Sequence, residues 1–511
     1  AADVNITTKG YLTSGDGGSG SWVQNGVTGQ TPSQNPAQLA GAILNDGNGN
    51  QWILTSAQQY PDQLGAGSGD TSGVTDTLTI QAYVNSRSDR DTLHFKDGSV
   101  YYIKEILAPC NNKTFFAYGS KFYIVEDGTA LNPKVGFNFN PDASPANPEA
   151  TSQSFGIWLG GQILSNIENP VGIAAFKGYA IRQMVIRDVM MGAGTGNYLT
   201  YGIMIAGLGG HKFVKNRFLL VGTAFYCPDW SEGYSSPSIP ITTSTFDNNE
   251  FTLATGQRAM YVNGGWQRWR IYGGFANGSD NTPVFHFTNN GGSSIGLIME
   301  GVGFEQASAG GHFVLMESTN ARYIRALTFN IFAIGDPSAG GFTAVELQNC
   351  HGVAFPAGLF EQSEAAGNTS ILADAACTGV EVSSAVNFSQ RSIVYNSGRR
   401  TISLLPSTTP YPNLSIAGYQ GNSFSSGVLN VDIKSAIGGD YPQQLMPTGY
   451  TLLVQARDSG SSSSAFARVE LFSSSTSPSV ERNVVDLRGV NDSDRVSGSM
   501  LIYPNSDQTN F

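Results

Sequence analysis

The sequence predicts an all-β protein built as a parallel β-helix, a solenoid in which each coil of the chain adds one rung to a stack. Three observations support this fold class. Strand-like segments repeat every 24 to 33 residues between Ile181 and Gln390, and glycine, asparagine and aspartate separate them as at corners. The 3.6-residue periodicity of helices is absent there. A unit of this length cannot bury its own apolar face and must stack on copies of itself.

A phenylalanine that precedes a turn defines the repeat. The aligned set is Phe218, Phe251, Phe275, Phe304, Phe332, Phe360 and Phe388. Because successive side chains of a strand point to opposite faces, we expect these rings to stack inside the solenoid. The residue after each ring should then point outward.

Length and composition agree with a solenoid and exclude several function classes. The chain of 511 residues is long for one compact core, but a solenoid grows along one axis, and 62 glycines suit its many corners. The net charge of −11 argues against nucleic-acid binding, which needs a basic surface. The sequence has no run of about twenty apolar residues that predicts a membrane span. Four scattered cysteines predict neither a disulfide framework nor a zinc site, and we expect no metal or cofactor.

Residues 1–60 are interpreted as an N-terminal entry or neck segment. The run KGYLTSGDGGSGSW at 9–22, followed by QWIL at 51–54, resembles the entry segment of phage tailspike depolymerases, in which "GY.T.GDGG.G.Y.W" precedes a "G..W.L" strand. The chain begins without an initiator methionine or a signal peptide. We therefore interpret it as a fragment or processed chain, and the resemblance implies that a missing N-terminal region attaches it to the phage tail.

A second run, LGAGSGDTSGVTDTLTIQA at 64–82 with DTLHFKDGSVYYI at 91–103, resembles the opening of the pectate-lyase-like β-helix family. Two departures are visible: extra residues precede Thr75-Asp76, and Lys96-Asp97 replaces a proline-rich pair. Asp76 is expected to cap a short helix that covers the open end of the solenoid. The apolar residues of that helix are Leu78, Ile80, Tyr83 and Val84.

The repeat assigns residues 61–398 to the β-helix with its substrate groove. After it, segments such as 451–457 and 465–472 alternate apolar and polar residues, which is typical of antiparallel strands. We interpret 401–511 as a C-terminal β-sandwich. The resemblance to tailspikes implies a right-handed β-helix, a homotrimer, and a C-terminal module for trimerisation or carbohydrate binding.

Candidate catalytic residues come from the column that follows the repeat phenylalanines. It contains Glu305 and Glu361 two rungs apart, with Ala333 between them. Adjacent strands are about 4.8 Å apart, so their Cα atoms should be roughly 9 to 10 Å apart. Inverting glycosidases hold their two carboxyl groups about 6.5 to 9.5 Å apart, and retaining ones about 5 to 5.5 Å. The column therefore favours an inverting pair, although two solvated surface glutamates would give the same pattern. Asp247 is a third candidate.

Substrate contacts are expected from aromatic and arginine side chains, because sugar rings lie on aromatic planes and arginines bind the carboxylates of acidic sugars. One coil has several of them, and an insertion at 226–240 adds two aromatic residues. The candidates are Trp266, Arg268, Trp269, Arg270, Tyr272, Trp230 and Tyr234. Such aromatic residues also occur in cores and subunit interfaces.

The resemblance implies a tailspike in the virion tail that binds and depolymerises a bacterial capsular polysaccharide or exopolysaccharide at the cell surface. Hydrolysis of a glycosidic bond is the favoured reaction. Two alternatives stay open. A polysaccharide lyase would need a base beside the carbon next to a uronate carboxylate, and the five histidines share no motif. A non-catalytic receptor-binding spike or adhesin would use the same scaffold.

Overall fold

The computed structural model shows a parallel β-solenoid that follows an antiparallel entry sheet. The described residues are 5–8, 20–30, 43–55, 60–67, 69–109, 111–130, 132–143, 151–192, 199–228, 240–277, 282–289, 294–305, 311–318, 324–335, 342–362, 369–374, 376–383, 385–388, 394–395, 402–404, 450–457, 464–471 and 488–489. Among them, 31 strands pair into one sheet that winds around the solenoid. The predicted parallel β-helix is therefore confirmed, and its strands form three walls.

Wall A is one of the three walls. Its strands are Ile106–Leu107, Lys134–Asn138, the first part of Ile173–Arg187, Tyr201–Gly209, Thr223–Cys227, Arg258–Val262, Phe285–Thr288, His312–Glu317, Thr343–Gln348, Thr369–Ala373 and Val394–Tyr395.

Wall B follows wall A along the chain. Its strands are Thr92–His94, Thr114–Phe116, Gln153–Leu159, the end of Ile173–Arg187, Lys212–Val214, Ile241–Thr242, Thr245–Asp247, Trp266–Tyr272, Thr378–Val382, Ile402–Leu404 and the first parts of Ser294–Glu305, Ile324–Gly335 and Cys350–Gln362.

Wall C completes the coil. Its strands are Val100–Ile103, Lys121–Ile124, Gln162–Ser165, Met190–Met191, Arg217–Leu219, Glu250–Thr252, Phe275–Asn277, Val386–Phe388 and the ends of the same three long strands. Because Ile402–Leu404 still pairs in parallel on wall B, the solenoid continues beyond the predicted end at residue 398.

The entry sheet has the strand order Asn5–Thr8, Gly20–Gln24, Gln51–Leu54, Ile43–Asn45, and all of its pairs are antiparallel. Trp22, Trp52 and Leu54 belong to the same apolar core as the first coils. The 3-10 helix Pro61–Leu64 then leads into the only α-helix among the described residues, Val74–Asn85. The entry segment therefore packs on the end of the solenoid.

The helix covers the solenoid end as predicted, but Asp76 does not cap it. The N-cap residue is Gly73, and Asp76 lies buried in the first turn. Its carboxylate accepts hydrogen bonds from the backbone N–H groups of Gly67 and Tyr102, 2.8 and 2.7 Å away. Asp76 thus fastens the helix to the first coil. Of the four predicted apolar residues, Leu78 is exposed, while Ile80, Tyr83 and Val84 are buried.

The C-terminal residues that the structure describes form one antiparallel sheet of three strands, Tyr450–Arg457, Ser464–Leu471 and Arg488–Gly489. They belong to a second compact unit, which includes 418–511. The antiparallel strands agree with the sequence pattern. The predicted second layer of a β-sandwich falls outside the described residues.

His211 is a buried titratable residue in the core. Its side chain is fully buried, and its Nδ1 accepts a hydrogen bond from the backbone N–H of Met184, 3.3 Å away. Burial disfavours the charged imidazolium and lowers the pKa of His211 to about 4. The folded state therefore gains stability from the neutral ring above the unfolded pKa of about 6.5, and this gain is lost as pH falls from there towards 4.

We expect His211→Gln, which cannot titrate, to make the protein less sensitive to acid. The midpoint of thermal unfolding should fall less between about pH 7.5 and about pH 4.5 in the variant than in the wild type. Burial raises the pKa of Asp76 to about 6, and protonation of Asp76 opposes this acid effect. Because Asp76 is present in both proteins, its contribution to the fall of the unfolding midpoint cancels in the comparison. An equal fall in both proteins would show that His211 is not the acid-sensitive group.

Candidate functional site

Walls B and C meet at a corner that has the same backbone conformation in six successive coils. The corner residues are Gly160, Asp188, Lys215, Asn248, Gly273 and Gly301, and their φ angles lie between 50° and 75°. This left-handed conformation turns the chain sharply from wall B to wall C, and glycine and asparagine adopt it most easily. Columns of outward side chains therefore lie close together on the two sides of the corner.

The register of wall C corrects the predicted phenylalanine column. Phe251 pairs with Ala276, Ala276 with Phe304, Phe304 with Ala333, and Ala333 with Phe360. Phe275 and Phe332 are therefore one residue out of step and lie outside, 38% and 44% exposed, while Phe218, Phe251, Phe304 and Phe360 are buried. A shift of one residue moves a side chain to the opposite face of a strand. The prediction of an inward ring is wrong for these two residues.

The two exposed phenylalanines share one outward column, in which Gly303 lies between them. Ile334, two residues after Phe332 on the same strand, is 40% exposed. We call Phe275, Phe332 and Ile334 the apolar platform. A Cβ atom at Gly303 would lie 3.5 Å from the Phe275 ring, so the missing side chain leaves a gap between the two rings. Exposed apolar side chains grouped in this way are typical of binding surfaces.

Glu305 and Glu361 occupy the same register position on wall C, beside the platform. Glu305 pairs with Ile334 and Ile334 pairs with Glu361, so the two glutamates are two rungs apart as predicted. The residue between them is Ile334, because Ala333 is buried in the core. Two rungs correspond to roughly 9 to 10 Å between Cα atoms. Glu305 is exposed. Their catalytic role stays a prediction.

Asp247 belongs to a second column of the same geometry, on wall B. It pairs with Tyr272, and Tyr272 pairs with Glu300, so Asp247 and Glu300 are also two rungs apart. The half-buried Asp247 accepts a hydrogen bond from the side-chain amide of Asn248, 2.8 Å away. The corner thus presents two carboxylate columns, and sequence reasoning did not pair Asp247 with Glu300.

Trp266 and Trp269 are not at the surface. Both are buried in the core, 0% and 1% exposed, and the indole N–H of Trp269 donates to the carbonyl of Ile241, 2.9 Å away. Inward and outward positions alternate from Trp269 to Tyr272, and the left-handed backbone at Arg268, with φ of 56°, lets Trp266 face inward as well. The prediction that these two tryptophans contact substrate is therefore wrong.

The other predicted contacts divide into two groups. Arg268 and Arg270 are exposed, Arg268 at a corner with φ of 56°, and Tyr272 is half-buried between Asp247 and Glu300. Trp230 and Tyr234 lie outside the described residues.

Wall A contains a histidine–carboxylate network that the sequence did not reveal. Glu317 accepts a hydrogen bond from Nε2 of His286 at 2.9 Å, and Arg258 donates to Nδ1 of the same ring at 3.3 Å. His286 is therefore neutral, and burial lowers its pKa. His312 donates from Nε2 to Glu346 at 2.6 Å, and this bond holds the pKa of Glu346 below its usual value.

Each pair on wall A joins neighbouring coils diagonally. The spacings of 31 and 34 residues in sequence follow no simple repeat, which is why sequence analysis missed them. The arrangement offers acid–base groups beside a guanidinium and is a second candidate site. Among the residues that the structure describes, no three or more His, Cys, Asp or Glu side chains are grouped to hold a metal ion.

Comparisons with known proteins support the fold. The structure is similar to the gp42 tailspike of Acinetobacter phage vb_AbaP_AS12, with a TM-score of 0.54 and 11% identity over 99% of this chain and 92% of that one. Weaker matches include the Streptococcus pneumoniae surface protein and adhesin PfbA, with a TM-score of 0.42 and 10% identity over 68% of this chain and 100% of that one. Another is tailspike gp49 of the Acinetobacter baumannii phage Fri1, a capsular polysaccharide depolymerase, with a TM-score of 0.35 and 11% identity over 91% of this chain and 78% of that one.

Neither a family model nor a curated protein matches the sequence. At 11% identity, the match to the gp42 tailspike shows a shared fold and leaves the chemistry to be argued from the site. No described helix has the length and apolar character that a membrane crossing requires.

Proposed function

We propose that this chain is a phage tailspike that binds a bacterial capsular or other surface polysaccharide and hydrolyses its glycosidic bonds. The observation that carries the proposal is the apolar platform of Phe275, Phe332 and Ile334 beside the column of Glu305 and Glu361. The platform offers apolar planes to sugar rings, and the column offers two carboxyl groups at a spacing suited to a water molecule. The fold that this chain shares with a phage tailspike also supports the proposal.

The proposed reaction is a single displacement with inversion. One carboxyl group of the Glu305 and Glu361 pair protonates the glycosidic oxygen as the bond to the anomeric carbon breaks. The other carboxylate takes a proton from a water molecule, whose oxygen attacks the anomeric carbon from the opposite side. Ile334, exposed between the two glutamates, keeps part of this region apolar. Asp247 and Glu300 are the alternative pair, on wall B.

A lyase is the second candidate function, because the wall A network provides what elimination needs. Arg258 packs over the Tyr261 ring with its guanidinium carbon 4.7 Å from the ring centre, and Tyr261 stacks on His286. A guanidinium can bind a uronate carboxylate while a neighbouring imidazole or phenol moves protons. Elimination produces an unsaturated sugar that absorbs in the ultraviolet, and hydrolysis does not. We expect reducing ends to appear without that absorbance, and its appearance would identify the reaction as elimination.

The adhesin alternative is tested on cells. The purified chain, spotted on lawns of encapsulated bacteria, should give a translucent halo and release soluble oligosaccharide wherever the protein binds. Binding to several strains without a halo or released oligosaccharide on any of them would establish a non-catalytic receptor-binding protein. A homotrimer and attachment to the phage tail through a further N-terminal region complete the proposal. The mass of the assembly in solution tests the first of these.

A further inference from the structure

A cleft of about 300 Å³ lies on walls B and C, on the N-terminal side of the apolar platform. Its lining includes Tyr118, Gln162, Asp188, Met190, Lys215 and Arg217. The floor is formed at Gly119 and Gly161, whose φ angles are 75° and 89° and which place no side chain in the space. A Cβ atom at Gly160 would clash with the Tyr118 ring, so this glycine lets Tyr118 lie against the corner. The glycines at this corner therefore leave the space that forms the cleft.

Cations outnumber carboxylates around the cleft, although the chain has a net charge of −11. Asp188 accepts hydrogen bonds from the Tyr118 hydroxyl at 2.7 Å and from Nε of Arg187 at 3.2 Å. Arg217 forms an ion pair with Glu250 at 2.9 Å. The charged residues that line the cleft are two cations, Lys215 and Arg217, and one carboxylate, Asp188. Among the described residues, Lys215 forms no ion pair, so one positive charge is available to a ligand.

Tyr118 adds a neutral hydrogen-bonding group. Its ring is 39% exposed and packs edge-on against Phe116 with ring centres 5.0 Å apart. Burial and the hydrogen bond to Asp188 raise the pKa of Tyr118, which keeps the phenol protonated. An aromatic face next to an available ammonium group suits a sugar ring that bears one negative charge.

We propose that the Tyr118 cleft is a subsite for a carboxylate-bearing sugar of the polysaccharide. The inference rests on the proposed function for its ligand class. Arg217 and Gly303 belong to one outward column of wall C, three rungs apart through Glu250 and Phe275, which is roughly 14 Å. A saccharide that follows the solenoid axis can therefore occupy the cleft and the platform together. Two exposed acidic residues on the platform side, Glu300 and Glu305, favour a neutral sugar there, so the structure assigns the acidic sugar to the cleft.

Methyl glucuronide and methyl glucoside, which differ in a single carboxylate, test the cleft with the full chain. We expect the glucuronide to bind more tightly than the glucoside in a ligand-observed NMR titration, and its binding to weaken at high salt. Lys215→Gln should weaken glucuronide binding about two- to fivefold, the effect typical of one exposed charge. The control is Lys212→Gln, the same change at an exposed residue of the same coil that does not line the cleft.

Equal binding of the two sugars, absence of glucuronide binding, or an equal loss in both lysine variants would overturn the cleft assignment. These results test the cleft assignment independently of the proposed depolymerase function. Polysaccharide cleavage without glucuronide binding would reject the cleft alone. Glucuronide binding that depends on Lys215, in a protein that releases oligosaccharide from none of the bacteria to which it binds, would support the cleft and reject the depolymerase.

Discussion

Glu305→Gln and Glu361→Gln should each lower kcat on the host polysaccharide at least about a hundredfold, because glutamine can neither donate nor accept the proton that the displacement requires. KM should change little, since the apolar platform is intact. Glu305 is exposed, and the change removes a charge without changing the size of the side chain. The thermal unfolding midpoint and the mass of the assembly should therefore match those of the wild type.

Asp247→Asn and Glu300→Gln are the matched controls. They remove a charge from the neighbouring column, two rungs apart in the same way. We expect a smaller loss of turnover from them than from the wall C variants. Near-normal turnover in either Glu305→Gln or Glu361→Gln would reject the proposed pair. If Asp247→Asn and Glu300→Gln then abolished turnover, the catalytic pair would lie on wall B.

Phe275→Ala combined with Phe332→Ala should weaken polysaccharide binding about tenfold or more. Each exposed ring offers an aromatic plane to a sugar, and stacking on such rings contributes beyond the area that it buries. The folded protein should tolerate both changes, because neither side chain belongs to the core. The dissociation constant of an oligosaccharide from the host capsule, measured by titration calorimetry, gives the result directly.

Leu107→Ala is the control for this variant, since Leu107 is an apolar residue of wall A that is 43% exposed. It should bind the oligosaccharide normally. An exposed apolar surface can also be a subunit interface, and the mass of the assembly distinguishes the two roles. A double variant that binds normally but dissociates into smaller species would show that the platform joins subunits.

The sequence was sufficient to predict the solenoid because two features repeat in it, the corner residues and the alternation of apolar and polar residues. Corner residues with left-handed conformations recur coil after coil, and apolar residues alternate with polar ones between the corners. The covering helix was predicted from the resemblance of residues 64–103 to the opening of a β-helix family, and the open end of a stack of strands supplied the physical reason. The role of Asp76 was missed because its partners, Gly67 and Tyr102, are brought to it only by the first coil.

The candidate site shows where a single sequence is insufficient. Phe275 and Phe332 fit the repeat spacing read from the sequence, but each lies one residue before the inward position of its coil, which Ala276 and Ala333 occupy. The expected separation of Glu305 and Glu361 nevertheless agrees with the register. Each glutamate directly follows a buried ring, Phe304 or Phe360, and these two rings are two rungs apart. The histidine pairs of wall A depend on diagonal contacts between coils, which no linear spacing encodes.

The central claim is that the polysaccharide lies on wall C, over the apolar platform. A structure of the Glu305→Gln variant with an oligosaccharide of the host capsule tests it most directly, because slow turnover keeps the ligand intact. We expect sugar rings against Phe275 and Phe332, with a glycosidic oxygen beside residue 305 or Glu361. An oligosaccharide bound instead on wall A, against Arg258 and His286, would contradict the claim.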